Sequence, residues 1–386
     1  MKASESIQTD IMPSMKRSGR AVIAVVLALV ASGMEAQTKP TRIMDDVVPG
    51  TEWLSVSPES VGYSNIQLEA LRAWVKTQDT MSMMIVTHGR VIFSYGDVSH
   101  ASKIASVRKS VLSMLYGNYV ANGKIDLNKT VKQLGLDDKQ PFLRVEESAT
   151  LEQLLAARSG VYLPTGSFGQ KDYLPPRGSE APGVHYLYSN WDFDAAGLAF
   201  EKQTGLDIYG ALKTDLAIPL EMQDFAISKQ KKEYTPESLH AEYVMRLSTR
   251  DMARLGLLML DHGRWNRKQI IPADWIQRIT TMVTPFRDIN PSFLRNYGDL
   301  GRWGYGLLWW VWDAPLNPGG VYTGPLQGAY SAMGAGGTFI TVFPGWDTVV
   351  VHQVDIDKNP KAQVMPSSYM AMLAMLMNSY CGDECK

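Results

Sequence analysis

Apolar residues recur at helical spacing between Ile66 and Val75, with Leu68, Leu71, Trp74 and Val75 falling on one side of a 3.6-residue turn. That stretch predicts an early helix. The period then changes, because the apolar runs 81–87 and 91–95 are separated by His88-Gly89-Arg90, the pattern of a β-hairpin. Strand-like runs return only near the other end, at 305–312, 328–332, 338–343 and 348–354, punctuated by Gly, Pro and Asp turns. A final apolar run over 369–377 suits a closing helix. Between the two strand groups the spacing is helical: Val107, Val111, Leu112, Met114 and Leu115 read as one buried helix. Leu151, Leu154 and Leu155, then 195–200, 252–260 and 275–279, continue in the same manner.

This order predicts an α+β fold. Strands from both ends pair into one antiparallel sheet flanked by the N- and C-terminal helices, with a large, mostly helical insertion between them. The expected division is 37–105 and 301–386 for the sheet part and 106–300 for the insertion, with the cleft between them as the natural pocket. No internal repeat or long low-complexity tract interrupts the chain, and the charged run 229–233 reads as a solvated loop.

Residues 1–36 stand apart from the fold. Lys16, Arg17 and Arg20 precede an apolar run, 21–30, that is followed by small residues at 31–33 and again at Ala36. This is the layout of a secretory signal, with Met15 as a natural start for it. The run falls well short of the roughly 20 residues that span a bilayer, so the expectation is export to the periplasm or medium with no membrane span after signal removal. Export would permit a disulfide between Cys381 and Cys385, although closing so small a loop adds little stability. Apolar residues make up 45% and charged residues 20% of the 386-residue chain, which excludes a mainly disordered protein. A formal net charge of -1, with no basic patch interleaved with aromatics, sets nucleic acid aside.

The candidate chemistry lies in Ser106-Val107-Arg108-Lys109 and in Tyr188-Ser189-Asn190. A serine hydroxyl is a weak nucleophile at neutral pH and needs a partner to accept its proton. On a helix, Lys109 falls on the same face as Ser106, beside the hydroxyl. Each motif alone is common. Ser228-x-x-Lys231 repeats the first and Tyr63-Ser64-Asn65 the second, so context must discriminate. Ser106 opens a strongly apolar helix, whereas Ser228 lies in a charged stretch. The plainer use of Ser106 is as a helix N-cap. Yet Arg108 and Lys109 then occupy the first helical turn, where the macrodipole disfavours cations.

Further segments follow in order: Gly123-Lys-Ile-Asp-Leu-Asn-Lys-Thr130, Thr150-Leu-Glu-Gln-Leu-Leu-Ala-Ala-Arg-Ser-Gly160, Pro182-Gly183, Ile218-Pro-Leu-Glu-Met222, Ser248-Thr-Arg-Asp-Met-Ala-Arg-Leu-Gly256 and Gln269-Ile-Ile-Pro272. Taken with the two motifs, residues 105–343 resemble the class C β-lactamase and penicillin-binding-protein-like serine hydrolases. That superfamily includes β-lactamases, D-amino-acid peptidases, esterases and amide-oligomer hydrolases. The resemblance implies a β-lactamase/transpeptidase-like fold and a covalent acyl-enzyme on Ser106, with Lys109 and Tyr188 sharing the proton. It implies that Asn190 holds Lys109 or the substrate. The oxyanion hole would take the Ser106 N–H and one from the strand near Ala332. Gly334, Gly336 and Gly337 would let backbone approach substrate closely. Free lysine and tyrosine titrate at about 10 or above, so either must be shifted by its surroundings to serve as the base.

The third motif departs from the resemblance. Where related β-lactamases carry Lys-Thr-Gly or a histidine variant, 328–338 contains no Lys, Arg or His. A substrate carboxylate lacks its usual cationic partner there. The expected substrate is therefore a small neutral ester or amide, with a β-lactamase or D-amino-acid peptidase as alternatives and a non-catalytic, peptidoglycan-binding envelope relative as the rival of another class. Trp191, Trp303, Trp309, Trp310 and Trp312 are candidates for an acyl pocket, with core packing as their commoner use. No Gly-x-Ser-x-Gly elbow, phosphate loop or dinucleotide fingerprint occurs. The six histidines never fall at metal-ligand spacing, so neither cofactor nor metal is expected.

Overall fold

One seven-stranded antiparallel sheet organises the molecule, and both ends of the chain build it. Its strands are β1 (Ser82–Thr87), β2 (Arg90–Gly96), β3 (Trp303–Tyr305), β4 (Trp310–Trp312), β5 (Tyr330–Gly334), β6 (Thr338–Phe343) and β7 (Thr348–Gln353). Their spatial order is β2-β1-β7-β6-β5-β4-β3. The early hairpin thus pairs directly with the last strand, in a register running from Ser82 opposite Gln353 to Thr87 opposite Thr348. The computed structural model describes residues 47–165, 173–295, 302–313 and 325–385, all within a unit that spans 40–386. The leader expected over 1–36 lies outside the described residues.

The hairpin closes as its sequence requires. His88 and Gly89 both take positive φ, 49° and 71°, the two-residue geometry whose twist matches the flanking strands, while Arg90 already belongs to β2. Helices cover both faces of the sheet. On one, α1 (Asn65–Val75) packs against α7 (Pro366–Ser379), the pair expected to flank the sheet. Tyr369 of α7 stacks on Phe339 of β6 at 4.0 Å between ring centroids, and its hydroxyl lies 2.7 Å from Thr341 Oγ1. The other face carries Ile340 and Val349, against which Gly256 of α5 (Thr249–Leu260) packs so closely that a methyl there would collide with Val349. Alternate residues of β6 therefore serve opposite layers, which is why all six are buried and none is charged.

The middle of the chain supplies α2 (Val107–Ala121), α3 (Leu151–Leu155), α4 (Asn190–Thr204) and α6 (Ala273–Ile279). Three short ribbons accompany them, of which the first joins Ser102–Lys103 to Arg246–Leu247. Two expectations need correction. The run 305–312 is two strands, because the chain reverses through Gly306 to Trp309 with Leu308 at φ 65°, and β3 pairs back on β4. The charged run 229–233 is not a free loop. Lys231–Glu233 pairs with Glu242–Val244, and Lys232 bonds both carboxylate oxygens of Glu201 at 2.6 and 2.8 Å. Cys381 and Cys385 are joined as a disulfide. Among the described residues no helix is long and apolar enough to cross a membrane.

Candidate active site

The chain reaches Ser106 through a strained turn. Ile104 N–H donates to Met245 O at 3.0 Å, Ala105 adopts φ 47°, and α2 begins one residue after Ser106. A left-handed alanine costs roughly 1 kcal/mol, which the surrounding contacts must offset. Part of that support comes from β5: Gly334 packs against the Ile104 carbonyl and the Ser106 nitrogen. Two further serines on α2 fix its axis, Ser110 donating to Leu308 O at 2.6 Å and Ser113 to Leu307 O at 2.7 Å. Ser106 itself is not used as an N-cap. It has helical φ and ψ (−72°, −7°), and its hydroxyl makes no capping bond.

That hydroxyl instead faces Lys109. Lys109 Nζ lies 2.7 Å from Ser106 Oγ, 2.9 Å from Tyr188 Oη and 2.7 Å from Asn190 Oδ1. The lysine is 2% exposed, whereas Ser106 remains partly open to solvent. Three partners saturate the amino group in either form, as three N–H donors of the ammonium or as two N–H groups and a lone pair of the neutral amine. Tyr188 is held by its backbone, whose N–H donates to Asn290 O at 2.9 Å, and by aromatic neighbours. Trp310 stacks on it at 5.8 Å and 22°, and Phe193 meets it edge-on at 4.9 Å. The Tyr188 and Phe193 rings also lie 4.7 and 4.8 Å from Lys109 Nζ.

Electrostatics separate the two proton carriers. Burial, reinforced by the neighbouring Arg108 charge, holds the Lys109 ammonium well below the usual lysine range. Burial pushes the Tyr188 phenol up to about 12, against the hydrogen bond to Ser106 and the pull of Arg108. Desolvation therefore favours a neutral amine beside a protonated phenol. Behind Lys109, Arg108 Nη2 bonds Asp194 Oδ1 at 2.8 Å, with both side chains 2% exposed. Its Nε lies 3.5 Å from Glu242 Oε1.

The structure gathers Ser106, Lys109, Tyr188 and Asn190 into one cluster and brings Gly334 to its edge. The other expected third-wall residues have the following surroundings. Ala332 is fully buried midway along β5, in register with Ile340, and it is at Gly334, two residues on, that an added Cβ would meet the Ser106 nitrogen. Side chains at Gly336 and Gly337 would meet Ile356 and Val364, because the turn after β5 leans on the 356–364 segment. All five candidate tryptophans are buried, as core packing predicts, and Trp310 stacks on Tyr188 of the cluster. The duplicate motifs are structural: Ser64 caps α1 by accepting the Gln67 N–H, and Lys231 is an exposed partner of Glu233.

Sequence reasoning missed Phe193, Asp194 and the Ser159–Asp192 bond of 2.6 Å, which ties the Ser159-Gly160 segment to α4. A signal existed for Asp194. Four residues after Asn190, it shares that residue's helix face, opposite the unexplained Arg108. A cavity of about 350 Å³ adjoins the Tyr188 backbone, lined by Tyr162, Tyr173, Glu180, His185, Leu187 and Asn290. No cluster of His, Cys, Asp and Glu among the described residues could hold a metal ion.

Comparison with known proteins places this geometry in context. Residues 71–369 match the family model described as Beta-lactamase. An uncharacterised protein of Alkalihalophilus pseudofirmus is 23% identical over 279 residues, covering 67% of this chain and 74% of its own. Among solved structures, a Bacillus anthracis protein provisionally designated a 6-aminohexanoate-dimer hydrolase superposes with a TM-score of 0.59 at 17% identity, covering 85% of this chain and 87% of its own. A penicillin-binding protein homologue from Caulobacter crescentus gives 0.59 at 13% identity, over 83% and 99%. At such identities the structural likeness speaks for the fold.

Proposed function

The chain belongs to the β-lactamase family, and from that premise we propose that it is a serine hydrolase whose nucleophile is Ser106 and whose natural substrate is a small neutral ester or amide. The observation that carries this reading is the position of Lys109 Nζ, within 2.9 Å of Ser106, Tyr188 and Asn190 together. As Ser106 Oγ attacks the acyl carbon, its proton passes to the neutral Lys109 amine. The developing oxyanion is stabilised by the Ser106 N–H at the start of α2 and by a backbone donor from the end of β5, beside Gly334. Collapse of the intermediate expels the leaving group, which takes the Tyr188 proton. The resulting phenolate recovers a proton from the Lys109 ammonium 2.9 Å away, restoring both groups and leaving Ser106 acylated. Water then repeats the sequence in reverse to release the acid.

Preference for a neutral substrate is supported by β5 and the turn after it, which carry no Lys, Arg or His to meet a carboxylate. The same feature weighs against a β-lactamase or D-amino-acid peptidase. The non-catalytic alternative is weakened by the complete Ser-Lys-Tyr constellation, which passive binding does not need. Export is part of the proposal. It is supported by the charged and apolar pattern of 16–36, and the Cys381–Cys385 disulfide suits an oxidising compartment. A fluorophosphonate probe should label the wild type and not Ser106→Ala, and the wild type should turn over short-chain p-nitrophenyl esters. Equal labelling of both proteins would exclude Ser106 as the nucleophile.

A further inference from the structure

Arg108 is buried and yet poorly satisfied. Its guanidinium is 2% exposed with one direct carboxylate bond, to Asp194, a longer approach of Nε to Glu242, and, among the described residues, no hydrogen-bond acceptor for Nε or Nη1. As a mere staple between α2 and α4 this is uneconomical, since apolar side chains of similar volume hold helices together without desolvating charge. Its position suggests another use. Arg108 and Lys109 are neighbours on α2, and each reaches across to α4, Lys109 to Asn190 at 2.7 Å and Arg108 to Asp194 one turn further on.

We infer that Arg108 is a positioning residue that opposes a proton on Lys109 through its charge, and that Asp194, which holds Arg108 in place, is its counterweight, so that the pair sets the pH at which Lys109 can accept the Ser106 proton. The inference rests on the reading of Lys109 as the base. The groups around Lys109 can be stated by element. From the turn before α2 comes Ser106, from α2 the Arg108 cation, from the 188–194 segment Tyr188, Asn190, Phe193 and the Asp194 carboxylate, and from the Glu242–Val244 strand Glu242. Tyr243 of that strand lies under the Arg108 guanidinium, 5.3 Å from ring centre to Cζ. Among these, only Arg108 opposes a proton on Lys109 by its charge, while Asp194 and Glu242 favour one. The pair is thus a nearly balanced couple set beside the base, and removing either half must tip Lys109 in opposite directions.

The test is the acidic limb of kcat/KM against pH for an ester substrate, with sites counted by fluorophosphonate labelling so that only folded enzyme enters the comparison. Arg108→Gln should move the limb to higher pH by roughly one unit, and Asp194→Asn should move it to lower pH by a similar amount. Arg108→Lys, which keeps the charge, should leave it near the wild-type position. The double variant Arg108→Gln with Asp194→Asn should fall between the single ones. If Arg108→Gln does not fold, the downward shift in Asp194→Asn decides alone. An unmoved limb, or shifts of the same sign in both single variants, overturns the inference while leaving Lys109 as the base. Wild-type acylation rates in Lys109→Ala would instead overturn the reading beneath it.

Discussion

Gly334 and Ile104 meet backbone to backbone: a Cβ added to Gly334 would lie 2.6 Å from the Ile104 carbonyl oxygen and 3.3 Å from the Ser106 nitrogen. No flexible side chain stands there to yield. Gly334→Ala should push the end of β5 away from the turn that carries Ser106. A displacement of this kind costs on the order of a hundredfold in kcat/KM. Crowding of a packed backbone costs about 1–3 kcal/mol of stability in addition. Steady-state kinetics and thermal melting of the variant check both, and activity within twofold of wild type would show that β5 does not position the nucleophile.

Tyr188→Phe should discriminate between leaving groups. A phenol pushed up to about 12 is a proton donor at neutral pH. Its loss should therefore hurt alkyl esters and amides, whose leaving groups need a proton, by roughly 10²–10⁴. A p-nitrophenyl ester, which departs as a stable anion, should suffer far less. Equal losses on both substrates would assign Tyr188 to taking the Ser106 proton. Lys109→Ala should slow both substrates alike, because acylation itself loses its base.

How far the sequence foretold this arrangement can be judged at single residues. The strand runs at 82–96 and 338–353 were legible because their apolar and turn residues are local signals. Their pairing followed from the order of elements. Ser106, Lys109 and Tyr188 were legible through motif order. The role of Gly334 over Ala332 was not, since which strand residue meets the Ser106 turn depends on sheet register, and a two-residue slip keeps the same face. Nor was the break of 305–312 at Leu308, because nothing in a run of buried aromatics signals a left-handed residue. Asp194 carried only the local signal of its spacing from Asn190, because its partner is 86 positions away.

His352 should make stability fall in mild acid. It is fully buried on β7, donating from Nδ1 to Gly337 O at 2.5 Å and accepting at Nε2 from Thr80 at 2.8 Å. Burial lowers it from its ordinary 6.5 to about 4. The unfolded chain therefore binds a proton between these values that the folded protein refuses, so this contribution is full above pH 6.5 and is lost as pH falls toward 4. The full loss is worth about 3 kcal/mol. Comparing denaturant midpoints at pH 7 and pH 5, wild type should lose more stability than His352→Gln. Parallel losses would show that other groups govern the acid response.

Substrate charge should matter on the third wall. Esters bearing a carboxylate next to the scissile bond should gain nothing over neutral analogues in KM, and a chromogenic cephalosporin should turn over much more slowly than the best ester. Comparable rates on the cephalosporin would mean that a cation from elsewhere supplies the missing contact.

The pairing of β1 with β7 also governs when this protein can fold. Residues 82–87 must wait for 348–353 before they have a second neighbour, so the centre of the sheet cannot close during most of synthesis. Closing so long a loop makes contact formation intrinsically slow and leaves apolar strands uncovered meanwhile. The sheet of a nascent chain of this topology is complete only when nearly all of the chain has emerged, which leaves the polypeptide without its full tertiary structure for most of its synthesis.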